Sequence, residues 1–217
     1  MTRMPLDPTP WVFDPAEWPT EDCVAAGADL EPGTLLEAYR RGAFPMPHDG
    51  MLLWWSPMQR GVLVPSELHV SRSLARSRRR FEVTIDESFE EVIDACADPS
   101  RPGAWIDSPI REAYVRMHRL GWAHSIETRD AEGRLVGGLY GLSIGRLFAG
   151  ESMFHRATDA SKVALLGLVE VVGTDALVDT QWRTEHLASL GVTEWSRDHY
   201  LEAIGPLVDA EPPAIWR

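Results

Sequence analysis

The stretch from residue 123 to residue 153 constrains the fold of this chain more than any other. It contains three segments rich in apolar and β-branched residues, a composition typical of strands. Short turns separate the segments, at DAEG (130–133) and around Gly145, so they predict an antiparallel meander of hairpins. The three predicted strands are AHSIET (123–128), LVGGLYGLSI (135–144) and RLFAGESM (146–153).

A helix and a further strand follow the meander. TDASKVALLGLVEVVG (158–173) is the clearest helical pattern in the chain, and its first residues, Thr158 or Asp159, can cap it. ALVDTQ (176–181) predicts a buried strand, and RTEHLASLG (183–191) predicts a short helix. Antiparallel strands followed by a helix, a strand and a helix are similar to the acetyltransferase-type α/β fold.

The first 65 residues have a different character. They are rich in proline and tryptophan and show one helical pattern, PGTLLEAYRRG (32–42), which ends at its glycine. Regular patterns begin near residue 66. We therefore expect a mixed α/β (α+β) protein, with a small N-terminal domain at 1–65 and an acetyltransferase-like domain with a mostly antiparallel sheet at 66–217.

The composition is that of a globular protein and argues against several classes. The 217 residues are 44% hydrophobic and 25% charged, and no apolar run approaches the ~20 residues that span a bilayer. The N-terminus lacks the apolar core of a signal peptide, so we expect a cytoplasmic monomer without membrane contact. Two cysteines without a spacing pattern and seven histidines without HxH or HxxxH spacing predict neither a disulfide framework nor a metal site.

The charge is unevenly distributed. A net charge of −12 argues against a protein that coats nucleic acid, yet RSLARSRRR (72–80) contains five arginines and no acid. This basic segment either contacts a phosphate backbone at one place or is a solvated helix face, and its residues alone leave both interpretations open. The five arginines are Arg72, Arg76, Arg78, Arg79 and Arg80.

Several nucleotide-binding and nucleophile motifs are missing from the sequence. The glycines of GGLYG (137–141) do not lead from a strand into a helix, which argues against a dinucleotide fingerprint, and no Walker loop or G-x-S-x-G elbow occurs. Acetyltransferases bind coenzyme A through a basic, glycine-rich loop before the central helix. The corresponding segment, GESMFHRATDASK (150–162), has two acids and no Gly-x-Gly turn, so we expect no cofactor.

Three polar residues lie where apolar ones are expected. Asp179 and Gln181 share one face of a predicted buried strand, and a buried aspartate needs a partner. Either Asp179 makes a structural hydrogen bond, or it holds the Gln181 amide so that the glutamine carbonyl can accept from a substrate. Glu151, between a buried strand and a helix, is either a solvated turn residue or a functional carboxylate.

Motifs along nearly the whole chain resemble the leucyl/phenylalanyl-tRNA–protein transferase family. Such enzymes move Leu or Phe from charged tRNA onto proteins that begin with Arg or Lys, which marks them for degradation by the N-degron route. The family combines a small N-terminal domain with an acetyltransferase-like domain and uses no metal or coenzyme A. The stretches that carry the resemblance are LLEAYRRGAFPM (35–46), WWSPMQRGVL (54–63), LHVSRSL (68–74), LGWAHSIE (120–127), LVGGLYGLSIGRLFAGESMF (135–154), ASKVAL (160–165), VDTQ (178–181) and HLASLG (186–191).

The resemblance implies a role for each binding residue. The basic segment would meet phosphates of the tRNA acceptor stem, and Trp105 would stack on the terminal adenine. Met46 stands where the family often has tryptophan, as a second contact to that adenosine. Glu151 would bind the cationic side chain of the acceptor. The apolar pocket for the transferred Leu, Phe or Met side chain would be built from Leu139, Phe148 and Met153.

The implied reaction is aminolysis of the aminoacyl ester, in which Asp179 and Gln181 orient the attacking amine. Whether the protein or the tRNA 2′-hydroxyl carries the proton is left open. One rival function is a coenzyme A-dependent N-acetyltransferase, which the missing pyrophosphate loop disfavours. The other is a non-catalytic tRNA-binding adaptor, which would need the arginines but not Asp179 and Gln181.

Overall fold

The computed structural model describes residues 3–101 and 103–217, and this part of the chain forms two sheets. A three-stranded sheet has the order β1-β3-β2, and a seven-stranded sheet has the order β10-β4-β9-β8-β7-β6-β5. The strands are β1 (Cys23–Ala26), β2 (Phe44–His48), β3 (Met51–Trp55), β4 (Gln59–Leu63), β5 (Glu82–Ile85), β6 (Ala123–Arg129), β7 (Leu135–Ile144), β8 (Leu147–His155), β9 (Leu177–Gln181) and β10 (Thr193–Ser196).

Helices cover both sheets and connect their strands. The α-helices are α1 (Pro32–Arg40), α2 (Arg72–Ser77), α3 (Phe89–Cys96), α4 (Ser108–Arg119), α5 (Ala160–Val172), α6 (Glu185–Ala188) and α7 (Arg197–Val208). Short 3-10 turns occur at Pro15–Glu17, Pro65–Glu67, Arg78–Arg80 and Ala214–Trp216. Within the described residues, none of the helices has the length and hydropathy that crossing a membrane requires.

The predicted meander is confirmed. β6, β7 and β8 pair antiparallel in sequence order, and the turn at Gly145 has a φ of +58°. α5 then crosses over to β9, which pairs parallel to β8, as a strand–helix–strand connection allows. The other strand pairs are antiparallel. The expected mixed α/β architecture with a mostly antiparallel sheet is therefore present.

The N-terminal region is more regular than its sequence indicates. β2 contains Pro45 and Pro47, residues that argue against a central strand. It pairs with β3 alone, so it is an edge strand, where a missing backbone N–H on the open side costs no ladder hydrogen bond. β4, which lies before the predicted domain boundary at residue 65, pairs with β9 and β10 of the large sheet. The boundary itself stays a prediction.

Two helices begin in different ways. Helix α4 is capped by Asp107, whose carboxylate accepts from the helix backbone at 2.9 Å, one residue before the helix starts at Ser108. Ser88 precedes α3 without a capping hydrogen bond, although serine is a common cap. Its hydroxyl accepts instead from Arg129 at 2.7 Å.

Both faces of the large sheet are buried. Tyr140, Leu142 and Ala149 belong to one apolar cluster, while their neighbours Leu139 and Phe148 belong to the other. Successive side chains of a strand point to opposite faces, so the two clusters lie on opposite sides of the sheet. The second cluster includes much of α5 and contains the predicted apolar pocket.

Candidate functional site

A cavity of about 250 Å³ lies where β7, β8 and β9 meet α5 and α6. Its wall combines apolar and polar side chains and includes one buried carboxyl. The apolar lining consists of Leu139, Met153, Leu165, Leu168, Val178 and Leu187. The polar lining consists of Arg101, Glu151, Ser152, Thr180, Gln181, Thr184 and His186.

A larger groove of about 610 Å³ lies between the N-terminal segment around Leu6–Asp14 and helix α1. Of the described residues that line it, no ionisable side chain is buried. The smaller cavity combines apolar lining residues with one buried ionisable group of perturbed pKa, Glu151, which is the usual signature of a site that binds and reacts. It is therefore the candidate active site.

Glu151 is a buried carboxyl on β8, not a solvated turn residue, and only 9% of it is exposed. Oε1 accepts a hydrogen bond from the Tyr39 hydroxyl at 2.7 Å, and Oε2 accepts from the Tyr114 hydroxyl at 3.0 Å. The oxygens of the two hydroxyls also lie within hydrogen-bond distance of each other. The Gln181 amide lies 3.5 Å from Oε1. The carboxyl is thus fixed by partners from α1, α4 and β9.

Burial raises the pKa of Glu151 to about 8, against the opposing effect of the hydrogen bonds from Tyr39 and Tyr114. The charge of Asp179 raises this pKa further, and that of Arg60 lowers it. Glu151 is therefore largely uncharged at neutral pH in the free protein. Its ionisation falls in the range where an α-amine also titrates.

Asp179 is fully buried and forms an ion pair that the sequence did not predict. Its Oδ1 accepts from Arg60 Nε at 2.8 Å, its Oδ2 accepts from Arg60 Nη2 at 2.5 Å, and the Tyr200 hydroxyl donates to Oδ2 at 2.9 Å. Arg60 is 1% exposed and lies over the rings of Phe44 and Tyr200. Burial lowers the pKa of Arg60, but the charges of Asp179, Tyr200 and Tyr39 and the hydrogen bonds to Asp179 together outweigh burial and keep this pKa above its ordinary value.

The expected contact between Asp179 and the Gln181 side chain is not formed. Asp179 Oδ1 accepts instead from the backbone N–H of Gln181 at 2.9 Å, and φ of Gln181 is +57°. The pairing of β4 with β9 shifts register here, next to Gly61. A Cβ at Gly61 would lie 2.7 Å from the backbone nitrogen of Arg183, so only glycine fits. Asp179 therefore fixes the strand end that directs Gln181 into the cavity.

Two of the three residues predicted to build the apolar pocket lie at the cavity. Leu139 and Met153 line it, and their contact with a transferred side chain stays a prediction. Phe148 is not one of its lining residues: it is buried in the same apolar cluster and packs against Trp216, with ring centroids 5.6 Å apart. Further apolar contacts come from α5 and α6, whose orientation toward the cavity the sequence did not reveal.

The two residues expected at the terminal adenosine lie outside the cavity lining. Trp105 is half-buried in the loop before α4, and Met46 is half-buried on β2. Both pack against the first apolar cluster. Their contact with an adenine stays a prediction.

The basic segment lies on the surface beside α5. Arg72, Arg76, Arg79 and Arg80 are exposed, and Arg78 is half-buried and donates to Glu170 at 3.3 Å. Among the described residues, neither Arg72, Arg76 nor Arg79 has a carboxylate partner. Ser77 donates to Asp159 at the start of α5 at 2.7 Å, which anchors the segment to the helix that walls the cavity.

Sequence reasoning missed four residues that shape the site. Tyr39, Arg60, Tyr114 and Tyr200 are buried around Glu151 and Asp179. A signal was available for one of them, because a buried aspartate requires a cation or several donors and Arg60 lies in a strand-like stretch. In the described part of the chain, no three His, Cys, Asp or Glu side chains are arranged to hold a metal ion.

Comparison with known proteins agrees with this architecture. The Leucyl/phenylalanyl-tRNA protein transferase family matches residues 62–205, and the N-terminal domain of the same family matches residues 28–58. Arg60 falls between the two matched ranges, and Tyr39 lies in the second. The N-terminal match therefore contributes a residue to the carboxyl site.

Three curated relatives share the name leucyl/phenylalanyl-tRNA–protein transferase. That of Stutzerimonas stutzeri is 51% identical over 201 residues, covering 89% of this chain and 88% of that protein. That of Aromatoleum aromaticum is 47% identical, covering 95% and 94%, and that of Dechloromonas aromatica is 46% identical, covering 98% and 94%. With family matches over both regions, this chain belongs to the leucyl/phenylalanyl-tRNA–protein transferase family of aminoacyltransferases.

Proposed function

We propose that this enzyme transfers Leu, Phe and Met from aminoacyl-tRNA to the α-amine of proteins that begin with Arg or Lys, and so marks them for the N-degron route. The observation that carries the proposal is the mixed lining of the cavity. Its apolar residues accept an aliphatic or aromatic side chain, and its buried carboxyl accepts a cation. Family membership supplies the reaction class.

The donor side chain fits against the apolar residues of the lining. Leu139, Met153 and Val178 project from three neighbouring strands, and α5 closes the space above them. A cavity of about 250 Å³ has room for a side chain of the size of Leu, Phe or Met. Burying such a side chain stabilises the complex by roughly 1.5–3 kcal/mol.

The acceptor side chain meets Glu151 and Gln181. An arriving guanidinium or ammonium stabilises the ionised carboxyl, and charge-assisted hydrogen bonds in a buried site are stronger than neutral ones. The side-chain oxygen of Gln181 accepts no hydrogen bond from the described residues, so it can accept one from the α-amine. Asp179 does not line the cavity and acts through Gln181.

In the reaction, the neutral α-amine attacks the ester carbonyl. A C–N bond forms, the bond from the carbonyl carbon to the tRNA 3′-oxygen breaks, and the amine proton moves to that oxygen, directly or through the neighbouring 2′-hydroxyl. An α-amine has a pKa near 7.7–8.0, so roughly a tenth is neutral at pH 7. Positioning rather than strong base catalysis is therefore the main contribution, and it can be worth about 7–11 kcal/mol.

The tRNA is bound outside the cavity. The exposed arginines Arg72, Arg76 and Arg79 meet acceptor-stem phosphates, with Arg78 and Arg80 beside them. Trp105 and Met46 contact the terminal adenosine. The protein works in the cytoplasm as a monomer, without a metal or cofactor.

One assay separates this proposal from its rivals. The enzyme is incubated with labelled leucyl-tRNA and a peptide that begins with Arg, and label in the peptide is counted. We expect leucine in the peptide without acetyl-CoA. Acetylation that depends on acetyl-CoA would support an acetyltransferase, and tRNA retention without transfer would support an adaptor.

The donor preference should follow side-chain shape. Leu, Phe and Met are unbranched at Cβ, whereas Ile and Val place a methyl group there, against the strands that carry Leu139 and Met153. A methylene difference in an apolar pocket is worth only ~1–3 kcal/mol, so discrimination should be graded. The measurement is kcat/KM with each charged tRNA. Equal transfer of Ile and Leu at limiting donor would contradict this assignment.

Replacing Arg72, Arg76 and Arg79 with alanine should weaken binding of every leucyl-tRNA alike. For each arginine that binds a phosphate, its removal should reduce the slope of log affinity against log salt by roughly 0.7–0.9. The measurement is tRNA affinity across a salt series. Arg134→Ala is the matched control, because that exposed arginine lies on the turn after β6, 2.6 Å from Asp130. An unchanged slope in the triple variant would make the basic segment a solvated helix face.

A further inference from the structure

Two tyrosines hydrogen-bond to the two carboxyl oxygens of Glu151. Tyr39 on α1 donates to Oε1 and Tyr114 on α4 donates to Oε2, at 2.7 and 3.0 Å, and their hydroxyls also contact each other. All three side chains are buried. The two helices come from distant parts of the chain, so it is the tertiary structure that brings Tyr39, Glu151 and Tyr114 together as a triad.

We infer that Tyr39 and Tyr114 are positioning residues that orient Glu151 and stabilise its ionised form. The carboxyl is uncharged in the free enzyme, and because of these two donors it can release its proton when a cationic acceptor binds. The inference rests on the proposed function, in which Glu151 meets the side chain of an N-terminal Arg or Lys. It adds Tyr39 and Tyr114 to the recognition of the acceptor side chain, and it adds the release of one proton from Glu151.

Opposing forces act on the carboxyl. Burial disfavours its charged form, while two phenol donors stabilise that form. The phenols themselves stay protonated, because burial and then the charge of Glu151 raise their pKa values well above the ordinary one. They are therefore permanent donors. Without them, the carboxyl would hold its proton more firmly and a cation would ionise it less readily.

Other ionisable groups surround Glu151 on several elements of the fold. Asp179 from β9 and Arg60 from β4 are paired with each other and closed off from solvent. Tyr140 from β7 lies nearby, and burial, followed by the charge of Glu151, raises its pKa well above the ordinary value. Arg101 and His186 are the other ionisable residues that line the cavity. Glu151 is thus the carboxyl of the cavity lining that can ionise when a cation binds.

This arrangement gives selectivity for charge. A neutral first residue cannot stabilise the ionised carboxyl, so it leaves Glu151 protonated and gains no ion pair. A cationic one gains the pair and displaces one proton to solvent. The empty site meanwhile carries no uncompensated buried charge, which would be costly.

Proton release can be measured directly by calorimetry. The ligand is a short peptide whose first residue is des-amino arginine, which keeps the guanidinium but has no α-amine to titrate. Heats of binding to the wild-type enzyme are compared in two buffers of different ionisation enthalpy. We expect about 0.9 proton released per peptide at pH 7 and close to none at pH 9.5, because a group with a pKa of about 8 is mostly protonated at the lower pH.

Three variants test the tyrosines. Tyr39→Phe and Tyr114→Phe each remove one donor, so the midpoint of proton release should move up by roughly one pH unit, and the KM for Arg-peptides at pH 7 should rise more than kcat falls. Tyr140→Phe is the matched control. It is equally buried, but its hydroxyl has no hydrogen-bond partner among the described residues, so the midpoint should stay at the wild-type value.

The outcomes are distinguishable. The inference alone would be overturned if the wild-type enzyme transfers leucine but does not bind the des-amino peptide, or binds it without releasing a proton. So would equal shifts in all three variants, since those would mark a general packing effect. Failure of the wild type to transfer leucine to any Arg-peptide would overturn the proposed function itself.

Discussion

Replacing Asp179 with alanine is expected to lower the free energy of unfolding by about 3–5 kcal/mol and to abolish most transfer activity. The reason is Arg60, which is 1% exposed and would lose both of its hydrogen bonds to the carboxylate. Removing one partner of a buried ion pair leaves an uncompensated charge, which costs several kcal/mol. The backbone N–H of Gln181 would also lose its acceptor, so that side chain would no longer be directed into the cavity.

Urea unfolding of both proteins provides the measurement, with the midpoint and slope compared. The matched control is Asp209→Ala, which removes an aspartate that is paired with Arg40 but whose side chain is 71% exposed. An exposed pair is worth about 0–1 kcal/mol, so the control should unfold near the wild-type midpoint. A stability change below 1 kcal/mol for Asp179→Ala would show that Arg60 does not depend on this carboxylate.

The second large effect is the pH dependence that Glu151 imposes on stability. Its pKa is about 8 in the folded protein against an ordinary value of 4.5. The folded state therefore binds more protons between these values, so the stabilisation is fully present below about pH 4.5 and is lost as the pH rises through 8. Glutamine does not titrate. The free energy of unfolding of the wild type, relative to Glu151→Gln, should fall by about 1.4 kcal/mol per pH unit between pH 5 and 8.

The measurement is a pair of urea titrations at each pH, and using the difference between two proteins cancels the other titrating groups. Glu132→Gln is the control, because that side chain is 65% exposed on the turn between β6 and β7. Its difference from the wild type should stay nearly constant over the same range. A flat difference for Glu151→Gln would mean that the carboxyl ionises as freely in the fold as in water.

Local patterns predicted much of the fold. The meander from β6 to β8 could be recognised because alternation, β-branched residues and short turns all agree there. β2 could not, because Pro45 and Pro47 argue against a strand until its position at a sheet edge is known. The place of β4 in the large sheet depends on pairing with β9, more than a hundred residues further along the chain, which no local pattern reveals.

Local patterns likewise identified only part of the candidate site. Glu151, Asp179 and Gln181 stood out because polar residues interrupted apolar strands. Their partners did not, since Tyr39 and Tyr114 look like ordinary apolar positions of amphipathic helices. Pairing between Arg60 and Asp179 spans 119 positions and depends on the order of the strands. Polarity identifies which residues need partners, and tertiary structure identifies the partners.

In the proposed function, Glu151 recognises the positive charge of the acceptor. The ratio of kcat/KM values for a charged and an uncharged acceptor tests this role most directly. We would measure kcat/KM for leucine transfer to two peptides that begin with Arg or with citrulline, its uncharged isostere, using the wild type and Glu151→Gln. A hydrogen bond to a charged group is worth about 1.5–3 kcal/mol, so the wild type should prefer Arg by roughly 10–100-fold. In Glu151→Gln the ratio should fall close to one. An Arg-to-citrulline ratio that is the same in both enzymes would contradict the account.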